Sequence, residues 1–174
     1  GGPESGLHRS EDGGETWTEL KSGLPNYAGK IGFTLSPQKP DVLYASIELE
    51  KRNGAVYKSE DRGSSWKKMS DLSLGYGTGP HYYQELFASP HKFDRLYLMN
   101  VRILTSEDGG KTFVELTERS KHSDNHAIAF REDDPNYLLV GTDAGIYESF
   151  DLAKTWKYHK NLPITQFYKV AVNN

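Results

Sequence analysis

Ser59-Glu60-Asp61-Arg62-Gly63-Ser64-Ser65-Trp66 is one of four versions of a single eight-residue phrase. The others are Ser10-Glu11-Asp12-Gly13-Gly14-Glu15-Thr16-Trp17, Ser106-Glu107-Asp108-Gly109-Gly110-Lys111-Thr112-Phe113 and Ser149-Phe150-Asp151-Leu152-Ala153-Lys154-Thr155-Trp156. Their aspartates lie 49, 47 and 43 residues apart, a period typical of propellers and solenoids. The chain is therefore an array of one structural unit. In such a turn the aspartate accepts hydrogen bonds from exposed N–H groups and the glycine takes the left-handed backbone. The aromatic residue (Trp17, Trp66, Phe113, Trp156) then opens the next strand and packs back under the turn. The last copy has Leu152-Ala153 in place of Gly-Gly, which predicts an altered or strained turn.

The repeat extends upstream of each phrase. Pro37 to Ala45, Pro90 to Leu98 and Glu132 to Val140 align as a polar turn followed by an apolar strand. Before each turn lies another apolar run, and Val170-Ala171-Val172 begins a further copy. Every complete unit thus holds four strand-sized stretches, with no competing helical periodicity. In the second unit we place strands at 30–36, 42–49, 55–59 and 65–69. The hairpin falls at Asn53-Gly54, a pair that accepts positive φ. The phrase occupies the turn between the third and fourth strands.

These phrases, four in register, resemble the Asp-box or BNR repeat, and the resemblance covers essentially the whole chain. It implies an all-β fold, an arc of a β-propeller built from four-stranded antiparallel blades. About three blades are complete, with partial blades at both ends. The units run near residues 7–20, 29–70, 82–117, 124–160 and 166–174. Families with this repeat include sialidases, xyloglucan-degrading glycoside hydrolases, sortilin-type receptors and a photosystem assembly factor. The phrases Asp124 to Ile128 and Thr165 to Val172 look most like large bacterial proteins of the glycosyl hydrolase BNR-repeat or sortilin-like kind. Since closed propellers need whole rings, the chain reads as a fragment of a longer protein. Its open ends allow a homodimer in which residues 167–172 of one copy join the first unit of the other.

Composition restricts the partners. The net charge is −3, and the 21 basic residues are scattered, so no basic stripe is available for nucleic acid. No apolar run is long enough to span a bilayer. With no cysteine, disulfide and thiol chemistry are excluded. Relatives of this type are commonly exported, so an extracellular or periplasmic location is what the resemblance implies. No cofactor is expected.

The candidate site is the cluster His122, Ser123, Asp124, Asn125, His126 at the start of an inner strand. Alternation along a strand would put residues 122, 124 and 126 on one face, presenting two imidazoles and a carboxylate. Such a set could hold a metal or supply an acid/base pair; the alternative is polar residues at the channel mouth bonded to neighbouring loops. Aligned on the inner strand, Gly29, Tyr82, Asp124 and Gln166 form one channel row, and Ile31, Gln84, His126 and Tyr168 form another. With His81, they offer the flat rings and directional polar groups of a glycan- or peptide-binding surface, although Tyr82 and Tyr83 could equally pack between blades. Asp12, Asp61, Asp108 and Asp151 are structural, because a catalytic group is needed once and a turn-forming group in every blade.

A sialidase is disfavoured, since Arg9, Arg52, Arg62, Arg95, Arg102, Arg119 and Arg131 do not fall at equivalent inner-strand positions. A xyloglucanase-like hydrolase needs two carboxylates across a cleft. Asp124 stands where such an enzyme could carry one, and Glu85 is the nearest alternative for a second. Three functions stay open: a glycan- or peptide-binding surface, part of a glycoside hydrolase with its other carboxylate outside this chain, and a structural interaction domain.

Overall fold

A computed structural model describes residues 5–50, 53–73 and 84–162. Among these residues fourteen strands form four antiparallel sheets. Among the described residues the first holds β1 (Leu7–Arg9) and β2 (Thr18–Leu20) alone. The second runs β3 (Ile31–Leu35), β4 (Leu43–Glu48), β5 (Asn53–Ser59), β6 (Lys67–Ser73). The third runs β7 (Leu86–Ala88), β8 (Leu96–Leu98), β9 (Leu104–Ser106), β10 (Val114–Glu115). The fourth runs β11 (Asn125–Arg131), β12 (Asp134–Thr142), β13 (Gly145–Ser149), β14 (Lys157–Tyr158). In each four-stranded sheet the spatial order is the chain order, as in a propeller blade. The registers are equivalent, with Leu35 opposite Leu43, Ala88 opposite Leu96 and Phe130 opposite Leu138.

The blades stack through three apolar layers, and strand alternation decides which residue serves which layer. Ala45, Ile47, Ala55, Tyr57 and Trp66 pack with Leu7 and Leu24, between the first and second sheets. Val42, Tyr44 and Val56 meet Leu86, Leu96 and Leu98 between the second and third. Tyr97, Met99 and Ile103 meet Ile128, Leu138 and Val140 between the third and fourth, where the Tyr97 and Phe130 rings lie 5.4 Å apart.

Four bonds of the repeated turn recur in all four copies. In the second blade the Ser59 hydroxyl donates to Asp61 Oδ1 (2.8 Å) and accepts from Gly63 N–H (2.8 Å), while the Ser65 N–H and hydroxyl donate to Asp61 at 2.8 and 2.5 Å. Ser10, Asp12 and Thr16 repeat this set, as do Ser106, Asp108 and Thr112 and Ser149, Asp151 and Thr155. These donors hold the carboxylates ionised: Asp12 is lowered to about 2, first by the Thr16 hydroxyl. Asp61 and Asp151 are also lowered, first by the Ser65 and Thr155 hydroxyls.

The aromatic of each of the last three turns docks on the preceding blade, Trp66 on the first sheet, Phe113 on the second and Trp156 on the third. Trp17 departs from the expectation: it is 63% exposed, because no sheet among the described residues stands before β1. The fourth turn is strained as expected, with Leu152 at φ 56° and Ala153 at φ 69°, a conformation that costs a side chain roughly 1–2 kcal/mol. Trp66 donates its indole N–H to Gly63 O within its own turn, whereas Trp156 donates to Thr117 O of the preceding blade at 2.7 Å. The Ala153 methyl is buried in the layer between the third and fourth sheets, where a Cβ at the equivalent Gly63 or Gly110 would meet Leu20 or Val56 of the preceding blade at under 3 Å.

Three strand-level expectations need correction. Asn53 and Gly54 are not the hairpin turn; they begin β5, opposite Ser73 and Leu72, and the loop is closed by Leu49 N–H donating to Asn53 O at 2.8 Å. The fourth strand starts at Lys67, after the turn bonds end, and runs to Ser73. The inner-strand row of Ile31, Gln84 and His126 does not line a channel as a set: Ile31 packs into the layer toward the first sheet and Gln84 is buried. The fifth unit, residues 166–174, lies outside the described residues.

Candidate functional site

The connection from β10 to β11 carries the candidate residues. Because each blade is an up-and-down meander, this connection and the β12–β13 turn lie at one end of the blade, and the repeated turns lie at the other. Asp12, Asp61, Asp108 and Asp151 are therefore separated from His122, Asp124 and His126 by the length of a strand.

β11 begins at Asn125, so His122 and Asp124 precede the strand. Asp124 has φ 61°, and the pairing of β11 shifts register between Asn125 and Ala127. Strand alternation therefore does not operate from 122 to 126, and the expected single face is replaced by two pairs. His122 Nδ1–H donates to Ser123 O at 2.7 Å and stands 3.9 Å from Asp124 Oδ2. His126 Nε2–H donates to Asp143 Oδ1 at 2.8 Å. Asp124 is fixed by its N–H donating to Val101 O (2.9 Å), by Asp143 N–H donating to its carbonyl (3.2 Å), and by the Ser123 hydroxyl donating to Oδ2 (2.8 Å). Its side chain is 27% exposed. The result is a partly desolvated carboxylate held in a left-handed backbone beside an imidazole, a geometry suited to orienting a hydroxyl-bearing ligand.

Among the described residues no three His, Asp or Glu side chains converge to hold a metal ion. His81, Tyr82, Gln166 and Tyr168 lie outside the described residues, as does Tyr83. Glu85 binds Lys30 Nζ through Oε1 at 2.8 Å.

Beneath the loop lies a buried charge cluster absent from the sequence reading. Lys121 Nζ donates to Glu118 Oε1 (2.7 Å), to His122 O (2.8 Å) and to Asn125 Oδ1. Asn125 Nδ2 donates to Glu118 Oε1 (2.9 Å) and to the carbonyls of Asn100 and Val101. The Lys121 and Glu118 side chains are 0% and 1% exposed, and the ammonium lies 5.4 Å from the Trp156 ring centroid. Burial lowers the Lys121 pKa against the opposing pull of Glu118. The cluster ties the loop to blades three and four and so sets where His122 and Asp124 stand. Polar residues between strands read as solvated, and nothing in their local spacing marks them as buried.

No family model matches the chain. Over 162 residues it is 26% identical to a probable oligoxyloglucan-reducing end-specific xyloglucanase of Neosartorya fischeri, covering 83% of this chain and 19% of that protein. The chain thus spans about a fifth of the length of that curated relative. It superposes on a GH74 enzyme from Niastella koreensis with a TM-score of 0.68 at 18% identity, covering 90% of this chain and 27% of that one. For the GH74 xyloglucanase from Xanthomonas campestris the TM-score is 0.69 at 19% identity, over 92% of this chain and 28% of that one. The fold is a partial β-propeller. YCF48 from Cyanidioschyzon merolae shares it at a TM-score of 0.57 and 17% identity, over 79% of this chain and 42% of that one. Among the described residues no helix is long and apolar enough to cross a membrane.

Proposed function

We propose that residues 1–174 form part of the glycan-binding propeller of an exported xyloglucan-acting glycoside hydrolase, the four repeated turns being Asp-boxes. The observation that carries this reading is the similarity to a probable xyloglucanase along 83% of the chain. The site in this reading is the left-handed Asp124 carboxylate beside His122. In this reading Asp124 contacts sugar hydroxyls as a binding or catalytic carboxylate. His126, held by Asp143, lines the same surface. Glycoside hydrolysis uses two carboxylates set on either side of the scissile bond, and the second is assigned to the protein outside residues 1–174.

Calorimetric titration with xyloglucan oligosaccharides tests the proposal. The expected result is saturable binding that Asp124→Asn weakens at least about tenfold while the melting temperature stays within about a degree. Normal binding by a variant with both Asp124→Ala and His126→Ala would remove these residues from the site. Failure of the parent chain to bind xyloglucan would favour a peptide-binding or purely structural propeller.

A further inference from the structure

The residue four places before each turn serine is Gly6, Ala55, Arg102 and Gly145 in chain order. Three of the copies are small, and the third alone carries a long cation. A group that the blade itself required would recur, as the turn aspartates do; a group that appears once answers to its own surroundings. Those surroundings are the candidate site. Arg102 lies in the β8–β9 connection, at the end of the blades that also holds the β10–β11 connection and the β12–β13 turn. Val101, its chain neighbour, accepts the Asp124 N–H at 2.9 Å and the Asn125 Nδ2–H at 2.9 Å.

The Arg102 side chain is 47% exposed, yet a buried partner aims it. Its Nη1 donates to Glu118 Oε2 at 3.4 Å, and the Glu118 side chain is 1% exposed. The other Glu118 oxygen is held by Lys121, which also binds His122 O, so the guanidinium belongs to the network that fixes the loop. Among the described residues Glu118 is its one hydrogen-bond partner. A guanidinium carries five N–H donors in a planar fork, and most of them are left to meet a ligand. Glu118 is already satisfied through Oε1 by Lys121 and Asn125, and an ion pair with one exposed member adds little to stability.

The geometry points to Arg102 as a ligand-binding residue of the Asp124 site, donating to one hydroxyl of a sugar whose neighbouring hydroxyl donates to Asp124. This deepens the proposed function and rests on it. A hydroxyl both donates and accepts, so a vicinal diol is read best by an acceptor and a donor side by side, and few such polar groups orient a ligand. The sugar is neutral. Glu118, Asp124 and Asp143 outnumber the Lys121 and Arg102 cations around the loop, and like charges brought together oppose binding of a uronate.

Arg102→Lys keeps a cation for Glu118 but loses the fork. Its melting temperature should match the parent's, while its calorimetric affinity for xyloglucan oligosaccharides should fall about tenfold or more, the scale of a lost charge-assisted hydrogen bond. Arg102→Gln should lose at least as much affinity. In the parent chain the Arg102 Nε–H resonance should move over the same titration. Parent-like affinity in both variants would overturn the inference and leave the proposed function standing. Full affinity in Arg102→Lys with a loss in Arg102→Gln would also overturn it, making Arg102 a counter-ion of Glu118 and nothing more. Tighter binding of an oligogalacturonate than of the xyloglucan oligosaccharide would overturn the assignment to a neutral sugar. A parent chain that binds no xyloglucan defeats the proposed function itself, and this inference with it.

Discussion

Lys121→Met is the perturbation whose cost the structure defines best. Methionine keeps most of the side-chain length and removes the ammonium, leaving Glu118 at 1% exposure without its principal partner. Breaking a buried ion pair in this way costs about 3–5 kcal/mol, because a charge is left uncompensated in a poorly solvated site. Arg102 Nη1 lies 3.4 Å from Glu118 Oε2 and is itself 47% exposed, so it takes up part of the charge. That places the expected loss near the lower end, about 3 kcal/mol. Asn125 also loses the donor to its Oδ1. Adding Glu118→Leu removes the stranded carboxylate, and the double variant should recover about half of the loss. Urea denaturation followed by tryptophan fluorescence reads the effect directly, since Trp156 packs on the ammonium. A single-variant loss below about 1 kcal/mol, or a double-variant loss equal to the sum of the two singles, would refute the claim that the pair is coupled.

Trp66→Ala should cost about 3–5 kcal/mol in chemical denaturation, whereas Trp17→Ala, at the same motif position but largely exposed, should cost less than about 1 kcal/mol in the 1–174 chain; equal losses would show that the two indoles are packed alike. Arg62 holds φ 58° where two sister turns have glycine, and its contact with Asp41 is exposed on both sides, so Arg62→Gly should stabilise by about 0.5–1 kcal/mol in net effect; a measured loss would mean the ion pair outweighs the backbone. At Asp108, burial opposes ionisation, but the Thr112 N–H and hydroxyl, the Ser106 hydroxyl and the Lys111 N–H bring the pKa down to about 2. A depressed carboxylate pKa contributes stability fully above the unfolded value of about 3.9 and loses it as pH falls toward 2. Thr112→Val deletes one donor, so the Asp108 carboxyl titration followed by carbon NMR should move up toward 3.8 and the acid limb of the stability curve should flatten; an unmoved midpoint would contradict the hydrogen-bond origin of the shift.

What the chain reveals about itself divides along the range of the interactions involved. The turn Ser59-x-Asp61-x-Gly63-x-Ser65 is closed by bonds spanning at most four residues, so its chemistry is complete within the phrase, and four copies make the blade count legible. The same locality explains the misplaced hairpin. Asn53-Gly54 has the turn propensity assigned to it, but Asn53 lies opposite Ser73 and Gly54 opposite Leu72, and the ladder of a neighbouring strand outweighs a two-residue preference. At the candidate site the controlling contacts are farther apart. Asn125 is gripped by Asn100 and Val101, from the preceding blade, and the Lys121 ammonium lies 5.4 Å from the ring of Trp156, whose indole N–H reaches across to Thr117 O. Those partners hold Asp124 at a left-handed φ where strand alternation would have placed it extended. The departure of the fourth turn from Gly-Gly and the loop that presents Asp124 are thus two ends of one packing arrangement. A change at Ala153 or Trp156 is expected to be felt at the carboxylate on the opposite end of the blade.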